Sequence, residues 1–345
     1  MEVIQGRYFA DLLDQPQALN STWNALRAST VFEKIALNCE QSRFERVVLT
    51  GMGGSCFGLH PLSIELAAQG WTALTIETSE LIHYYPHLLA PSTLIVAVSQ
   101  SGKSAETLRM LDLNQHRATM IGVTNWPDSP LAQQANFAVL TAAGEEYSVS
   151  CKTYVCAQMA FRVLGAVLTG KDATETLHVL EPAPRLFQHY LANWKDHVEE
   201  LAKLLQGVSD IFLVGRGPSL AAAQTGALTL KESTHFHAEG MSSAALRHGP
   251  LDMLKEGIFV GVFAGDTQTR SLNESLVRDV AATGARVALI SEDASLTSFR
   301  IPVQSETLRP LLEMLPVQMM TLTLAALANR EAGKFVRATK VTTVE

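Results

Sequence analysis

Nowhere in the 345 residues is there a basic block, and charge is scarce altogether, with Asp, Glu, Lys and Arg making up 18% of the chain. The 27 basic residues face 34 acidic ones, a formal balance of −7. A duplex reader that draws its affinity from neutralising phosphates is thereby excluded, and no nucleic-acid partner is expected. Cysteine is sparse too. Cys39, Cys56, Cys151 and Cys156 show no metal-ligand pairing and are too few for a disulfide scaffold, which points to a reduced, cytoplasmic protein. The start, MEVIQGRYFADLLDQ, has no apolar leader core. The most apolar stretch, Leu311 to Ala328, is interrupted by Glu313, Pro316 and Gln318. It reads as a buried helix, and no membrane partner is expected.

What the chain does have is core material. At 47% hydrophobic it can bury a sizeable interior, so disorder is excluded as its main state. Its length allows two compact domains or one long α/β barrel. Short apolar runs alternate with helical patterns: Arg46 to Thr50, Thr72 to Glu77, Leu94 to Val98, Met120 to Thr124 and Phe137 to Thr141 read as strands. Continuous apolar strands separated by helices predict a parallel sheet covered on both faces. A break at Glu181-Pro182-Ala183-Pro184 follows, then one long linking helix from Phe187 to Leu205.

After that the pattern starts again. Ile211 to Ser219 echoes Val47 to Ser55, with Gly51, Gly53 and Ser55 falling on Gly215, Gly217 and Ser219 at an offset of 164. Phe259 to Phe263 repeats Leu94 to Val98, and Ala288 to Ser291 repeats Ile121 to Thr124. Three elements in one order make an internal duplication and disfavour the barrel. The expected architecture is α/β, two tandem three-layer domains, each a parallel sheet flanked by helices. Its parts are an N-terminal helical segment (1–30), a first domain (31–170), a linking helix (171–207), a second domain (208–330) and a tail (331–345).

The sharpest local feature is Ser99-Gln100-Ser101-Gly102-Lys103-Ser104, directly after the strand Leu94 to Val98. A parallel strand that ends in hydroxyl residues and glycine and then opens a helix is a phosphate seat, because helix-start N–H groups and serine hydroxyls all donate to an anion. The competing reading is that Ser101 and Ser104 only cap the helix. The spacing of a Walker A loop is absent, and Gly51-Met52-Gly53-Gly54 does not fit the dinucleotide fingerprint. The duplicate loop, Ala264-Gly265-Asp266-Thr267, lacks the serines, so one copy is expected to bind phosphate and the other not. A second constellation comprises Lys231-Glu232, His235 to Glu239 and Arg247-His248-Gly249-Pro250. A helix from Ser219 to Ser233 would set Thr225, Thr229 and Glu232 on one face. Glu232 there could move a proton between adjacent carbons with His248 as a second titrating group, or simply pair with a neighbouring cation. In a strand, His235 and His237 would share a face, but no third ligand stands at a convincing spacing, so no metal is expected.

These residues resemble a known family. The serine loop, Gly215-Arg216-Gly217, Leu230-Lys231-Glu232-Ser233, His237-Ala238-Glu239, Arg247 to Leu251 and the terminal Lys340 to Glu345 are similar to the double sugar-isomerase (SIS) proteins, close to the isomerase half of glucosamine-6-phosphate synthase. The resemblance runs from about Val47 to Glu345. It implies two five-stranded parallel sheets and a homodimer with shared active sites. It implies that Gly54, Ser55, Ser99, Gln100, Ser101 and Ser104 hold the phosphorylated end of a sugar. By the same resemblance Glu232 is the C1–C2 base, His248 assists ring opening, and Lys340 sits over the sugar carbonyl. The loop Glu146 to Lys152 would close the pocket with Val149 and Ser150. No cofactor is implied.

Two departures bear on the reaction. The family's lysine one turn before the glutamate is here Thr229, which cannot act as a cationic acid or base. No glutamine-hydrolysing half precedes Met1, so release of an amine is expected rather than its capture from glutamine. The expected function is a phosphosugar deaminase/isomerase acting on an amino-sugar 6-phosphate by C1–C2 proton transfer with loss of the amine. The alternatives are a fructosamine-6-phosphate deglycase, a plain phosphosugar aldose–ketose isomerase, and a non-catalytic sugar-phosphate-binding regulator.

Overall fold

The computed structural model describes residues 3–303, 305–337 and 339–344. Grouped by contact, the chain forms two compact units whose segments interleave in sequence. The first comprises 17–146, 152–182 and 339–344, and the second 3–16, 147–151, 183–303 and 305–337.

In the first unit, five strands form one wholly parallel sheet: β1 (Arg46–Gly51), β2 (Ala73–Glu77), β3 (Thr93–Val98), β4 (Thr119–Thr124) and β5 (Phe137–Leu140). Their order is β2-β1-β3-β4-β5. Every residue of β3 is buried, as expected for a central strand covered on both faces. On one face Val48, Ile95, Ala97 and Met120 pack with Leu81, Met110 and Leu131 from flanking helices. The helix Lys152–Leu168, buried along most of its length, also belongs to this unit.

The second unit repeats the plan. Its strands β6 (Asp210–Gly215), β7 (Ala238–Ser242), β8 (Ile258–Phe263) and β9 (Arg286–Ile290) are parallel in the order β7-β6-β8-β9. Matched by position they are β1 to β4 again, which makes the duplication a matter of topology as well as motif. The expected fifth strand is a correction: among the described residues only one bridge, Ser291 to Arg300, extends this sheet. Phe212, Val214, Val260 and Val262 pack with Leu246, Leu276 and Val280 on one face. On the other lies the helix Leu220–Thr234, where a side chain at Gly226 would meet Leu213 at 2.8 Å and Val317 at 3.1 Å.

Two further expectations change. The single linking helix is two helices, Ala183–Leu191 and Trp194–Leu205, joined at Asn193. The apolar stretch at 311–328 falls within the helices Arg309–Leu312 and Met314–Leu327; their combined span is apolar and long enough to cross a membrane, yet 89% of the most apolar window is buried inside the protein.

Candidate functional site

In the first sheet the chain leaves β1 toward β2 on one side and continues from β3 on the other. The gap between the carboxyl ends of β1 and β3 is therefore the topological switch point, where open α/β sheets bind ligands. Both expected phosphate segments arrive there. Gly54 and Ser55 open the short helix Gly54–Phe57 after β1, and Ser99 to Ser104 lead from β3 into the helix Ala105–Asn114. A Cβ on Gly51 would lie 3.0 Å from the Val98 carbonyl oxygen and from the Ser55 Cβ, so the end of β3 and the turn that carries Ser55 crowd the same point.

The serine loop folds on its own hydroxyls. Ser99 Oγ accepts the Gly102 N–H at 3.2 Å, and Ser101 Oγ accepts the Lys103 N–H at 3.3 Å. Ser104 is the N-cap, accepting the Thr107 N–H at 3.4 Å. The capping reading thus holds for Ser104. It does not exhaust the loop, because a hydroxyl that accepts an N–H still has its own O–H to donate. Gln100 is held by its carbonyl, which accepts from Asn125 N at 3.2 Å and Thr124 Oγ1 at 3.3 Å. Gly102 adopts φ +63°, and a Cβ there would strike Ser129 Oγ at 2.3 Å and Ser129 Cβ at 2.5 Å. Neither Thr124 nor Ser129 was marked by the sequence pattern, since both come from the next strand and its loop.

Next to Ser55, burial first and the charge of Glu77 second push the Cys56 thiol up to about 11. It is a neutral core thiol at neutral pH and no nucleophile.

The tail belongs to this unit as well. Lys340 Nζ lies 2.5 Å from Glu146 Oε2, and the Thr342 carbonyl accepts the Ala105 N–H at 3.1 Å. Lys340 is therefore brought to the unit that carries the serine loop. Glu146 was legible only as the start of a loop.

Glu232 and His248 lie in the other unit, with Val149 and Ser150. Glu232 is half-buried on the helix Leu220–Thr234, where Thr225 and Thr229 are buried. His248 is exposed just after the helix Ser243–Arg247. Val149 is buried, with 1% of its surface exposed, so its side chain belongs to the core of that loop. His235 closes the Glu232 helix at φ +58°, and β7 begins only at Ala238. The two histidines are thus not on one strand. His235 Nδ1 meets Arg330, and His237 Nδ1 meets Asp210 at 2.9 Å.

The duplicate seat in the second sheet is already filled with the protein's own carboxylates. Counted from the strand ends, Asp266 and Thr269 stand where Ser101 and Ser104 stand, and Asp266 Oδ1 accepts from Thr269 N and Oγ1. Ser219, in the place of Ser55, donates to Glu313 Oε1 at 2.6 Å. Glu313 is fully buried, and burial pushes its carboxyl up to about 8 against the opposing pull of the Ser219 hydrogen bond and Arg309. The folded state therefore holds a proton that the unfolded chain, titrating near ~4.3, gives up, so stability falls as pH rises between about 4.3 and about 8. Glu313→Gln is expected to raise the melting temperature relative to the parent at pH 8.5, by the equivalent of up to ~5 kcal/mol, and by only ~1 kcal/mol at pH 5. Calorimetry at the two pH values checks this; a variant destabilised equally at both would mean that Glu313 is stabilising as an anion.

Comparison with known proteins bears on the same residues. A model of the SIS domain matches residues 45–167 and again 204–328. The glutamine–fructose-6-phosphate aminotransferase (isomerizing) of Pyrococcus horikoshii is 28% identical over 359 residues, an alignment taking in 97% of this chain and 57% of that one. The chain thus spans little more than half the length of this relative. The C-terminal domain of the glucosamine-fructose-6-phosphate aminotransferase of Francisella tularensis superposes with a TM-score of 0.82 at 19% identity, covering 96% of this chain and 99% of that one. A glucosamine-6-phosphate deaminase of Thermotoga maritima superposes with a TM-score of 0.73 at 18% identity, covering 94% and 96%.

Proposed function

The chain belongs to the SIS domain family, and from that premise we propose that it is a cytoplasmic phosphosugar deaminase/isomerase, active as a homodimer on an amino-sugar 6-phosphate. The observation that carries the proposal is the serine loop at the switch point of the first sheet, where hydroxyls, a helix start and the Lys340 tail converge in one unit. Gly54, Ser55, Ser99, Gln100, Ser101 and Ser104 hold the phosphate. The local field of the helix start supplies what the acidic chain as a whole does not.

His248 assists opening of the sugar ring. Glu232 then takes the proton from C2 of the open-chain amino sugar and returns it at C1, leaving an imine at C2. Water adds to that imine and the amine departs, giving the ketose 6-phosphate. Lys340 stands at the sugar carbonyl, and Val149 and Ser150 contact the substrate. Thr229, short and buried where the family has a lysine, adds no second cation to the proton inventory.

A deglycase would run the same exchange in the opposite sense: the proton leaves C1 and is returned at C2, the imine forms at C1, and its hydrolysis releases the substituted amine and leaves the aldose 6-phosphate. Incubation with glucosamine 6-phosphate is expected to release ammonia and fructose 6-phosphate. Release of a free amino acid from a 6-phosphofructosyl amino acid would instead assign the deglycase. Interconversion of aldose and ketose phosphates alone would assign a plain isomerase. A folded protein that binds sugar phosphate and turns over none of these is a regulator, and the proposal is then wrong.

A further inference from the structure

Glu146 lies directly before the segment 147–151, and its side chain is wholly inaccessible to solvent, yet it is a carboxylate. Thr153 and Lys340 both donate to it. Thr153 supplies its N–H to Oε1 at 3.0 Å and its hydroxyl to Oε2 at 2.6 Å. Lys340, from 194 residues further along the chain, supplies Nζ to Oε2 at 2.5 Å. Thr153 is the second residue of the helix Lys152–Leu168, so the carboxylate also sits at the positive end of a helix dipole. Two residues beyond Lys340, the Thr342 carbonyl accepts the N–H of Ala105, the first residue of the helix that opens from the serine loop. The tail is thus pinned at two neighbouring points, one on a buried carboxylate and one on the head of the phosphate-seat helix.

The donors are unequal in kind. Those of Thr153 are part of the helix start and cannot leave. The one from Lys340 sits on a flexible four-carbon stem that is 24% exposed. When Lys340 swings away, Glu146 keeps the hydrogen bonds from Thr153 and the helix field, so its departure does not strand an unsatisfied charge. We propose that Glu146 is the positioning residue of Lys340: it holds the ammonium beside the phosphate seat while the site is empty, releases it to the sugar carbonyl, including that of the ketose product, and receives it again afterwards. The proposal rests on the reading of Lys340 as the residue that meets the sugar carbonyl. In that step the ammonium and the ketose carbonyl give an iminium and water; charge is conserved, and Glu146 is unchanged at the end.

The test combines borohydride trapping of fructose 6-phosphate on Lys340, located by mass spectrometry, with steady-state kinetics and timed trypsin cleavage after Lys340. Glu146→Gln is expected to lower kcat and the trapping rate ~10-fold or more, with KM within about twofold, because the sugar is held elsewhere while the lysine is misplaced. Cleavage after Lys340 should accelerate in the same variant. Glu146→Asp should recover part of each loss, and it takes the place of the glutamine variant, with the same readouts, where that variant is insoluble. Thr153→Val should lower the melting temperature while leaving trapping and tail cleavage at parental rates, which separates docking of the tail from support of the helix. Parental trapping and an equally resistant tail in Glu146→Gln overturn the proposal and leave the reading of Lys340 standing. Full turnover in Lys340→Ala removes that reading, and this proposal with it.

Discussion

Glu232→Gln is expected to lower kcat on glucosamine 6-phosphate by ~10² or more while leaving KM within a few fold, because a proton relay contributes ~10²–10⁴ to rate and little to ground-state binding. Glutamine keeps the size and one carbonyl acceptor of glutamate and cannot take a proton at neutral pH, so the substitution isolates the proton from the packing. The side chain is half-buried on a helix whose Thr225 and Thr229 face the interior, and an isosteric change there leaves those contacts intact. The measurement that bears on the chemistry directly is wash-in of solvent deuterium at C1 or C2 of the sugar phosphate, followed by NMR. In Glu232→Gln, exchange should fall in step with turnover. If turnover and exchange both persist at the parental rate, Glu232 is not the base and the assignment fails. The same variant separates enzyme from regulator, since a regulator's binding of sugar phosphate is insensitive to the loss of a proton acceptor.

Gly102→Ala has the next largest expected effect, and it acts through shape. Gly102 sits at φ +63°, a backbone region that costs an L-residue ~1–2 kcal/mol. The added methyl would also overlap Ser129 Oγ at 2.3 Å and Ser129 Cβ at 2.5 Å, so the loop or the Ser129 turn must move. That turn is the N-cap of the helix Pro130–Gln134, where Ser129 Oγ accepts the Ala132 N–H, and it yields only by losing that bond. Strain and lost capping together should cost ~3 kcal/mol, or a fall of ~6–12 °C in melting temperature. Displacement of the loop should raise KM for the sugar phosphate ~10-fold or more, with kcat less affected, because the phosphate is bound in ground and transition states alike. Adding Ser129→Gly removes the overlap and should restore part of the affinity, though not the dihedral cost. An alanine variant with parental melting temperature and KM would show that the loop is not the seat.

The strands of the first lobe, and β6, β8 and β9 of the second, are written in the sequence as short continuous apolar runs, with ends within two residues of the expected bounds, whereas β7 (Ala238–Ser242) carries no such run. The repeat was equally visible, because a glycine turn after each first strand is a local requirement of chain direction that both copies retain. The serine loop could be placed after β3 without any knowledge of the fold, since hydroxyls, glycine and a helix start are adjacent in the chain. The failures are of a different kind. The fifth strand of the second lobe shrank to a single bridge at Ser291 and Arg300, and the long linking helix broke at Asn193. Neither change has a local signal, since each depends on what the segment packs against.

By itself, then, the sequence determined the α/β class, the two copies and the position of the serine loop, because strand period, glycine turns and helix starts act over a few residues. The sequence also showed that the second loop lacks the serines; tertiary structure alone decided which distant side chains each copy meets. The pairing of Ser219 with Glu313 spans 94 residues and that of Glu146 with Lys340 spans 194. Both are partnerships of buried carboxylates, and burial is what makes them count: in water either pair would be nearly neutral in energy. No local period encodes which distant side chain will share a dry pocket with which. The fold sets that, by setting Glu313 and Asp266 at one switch point and a loop of serines at the other.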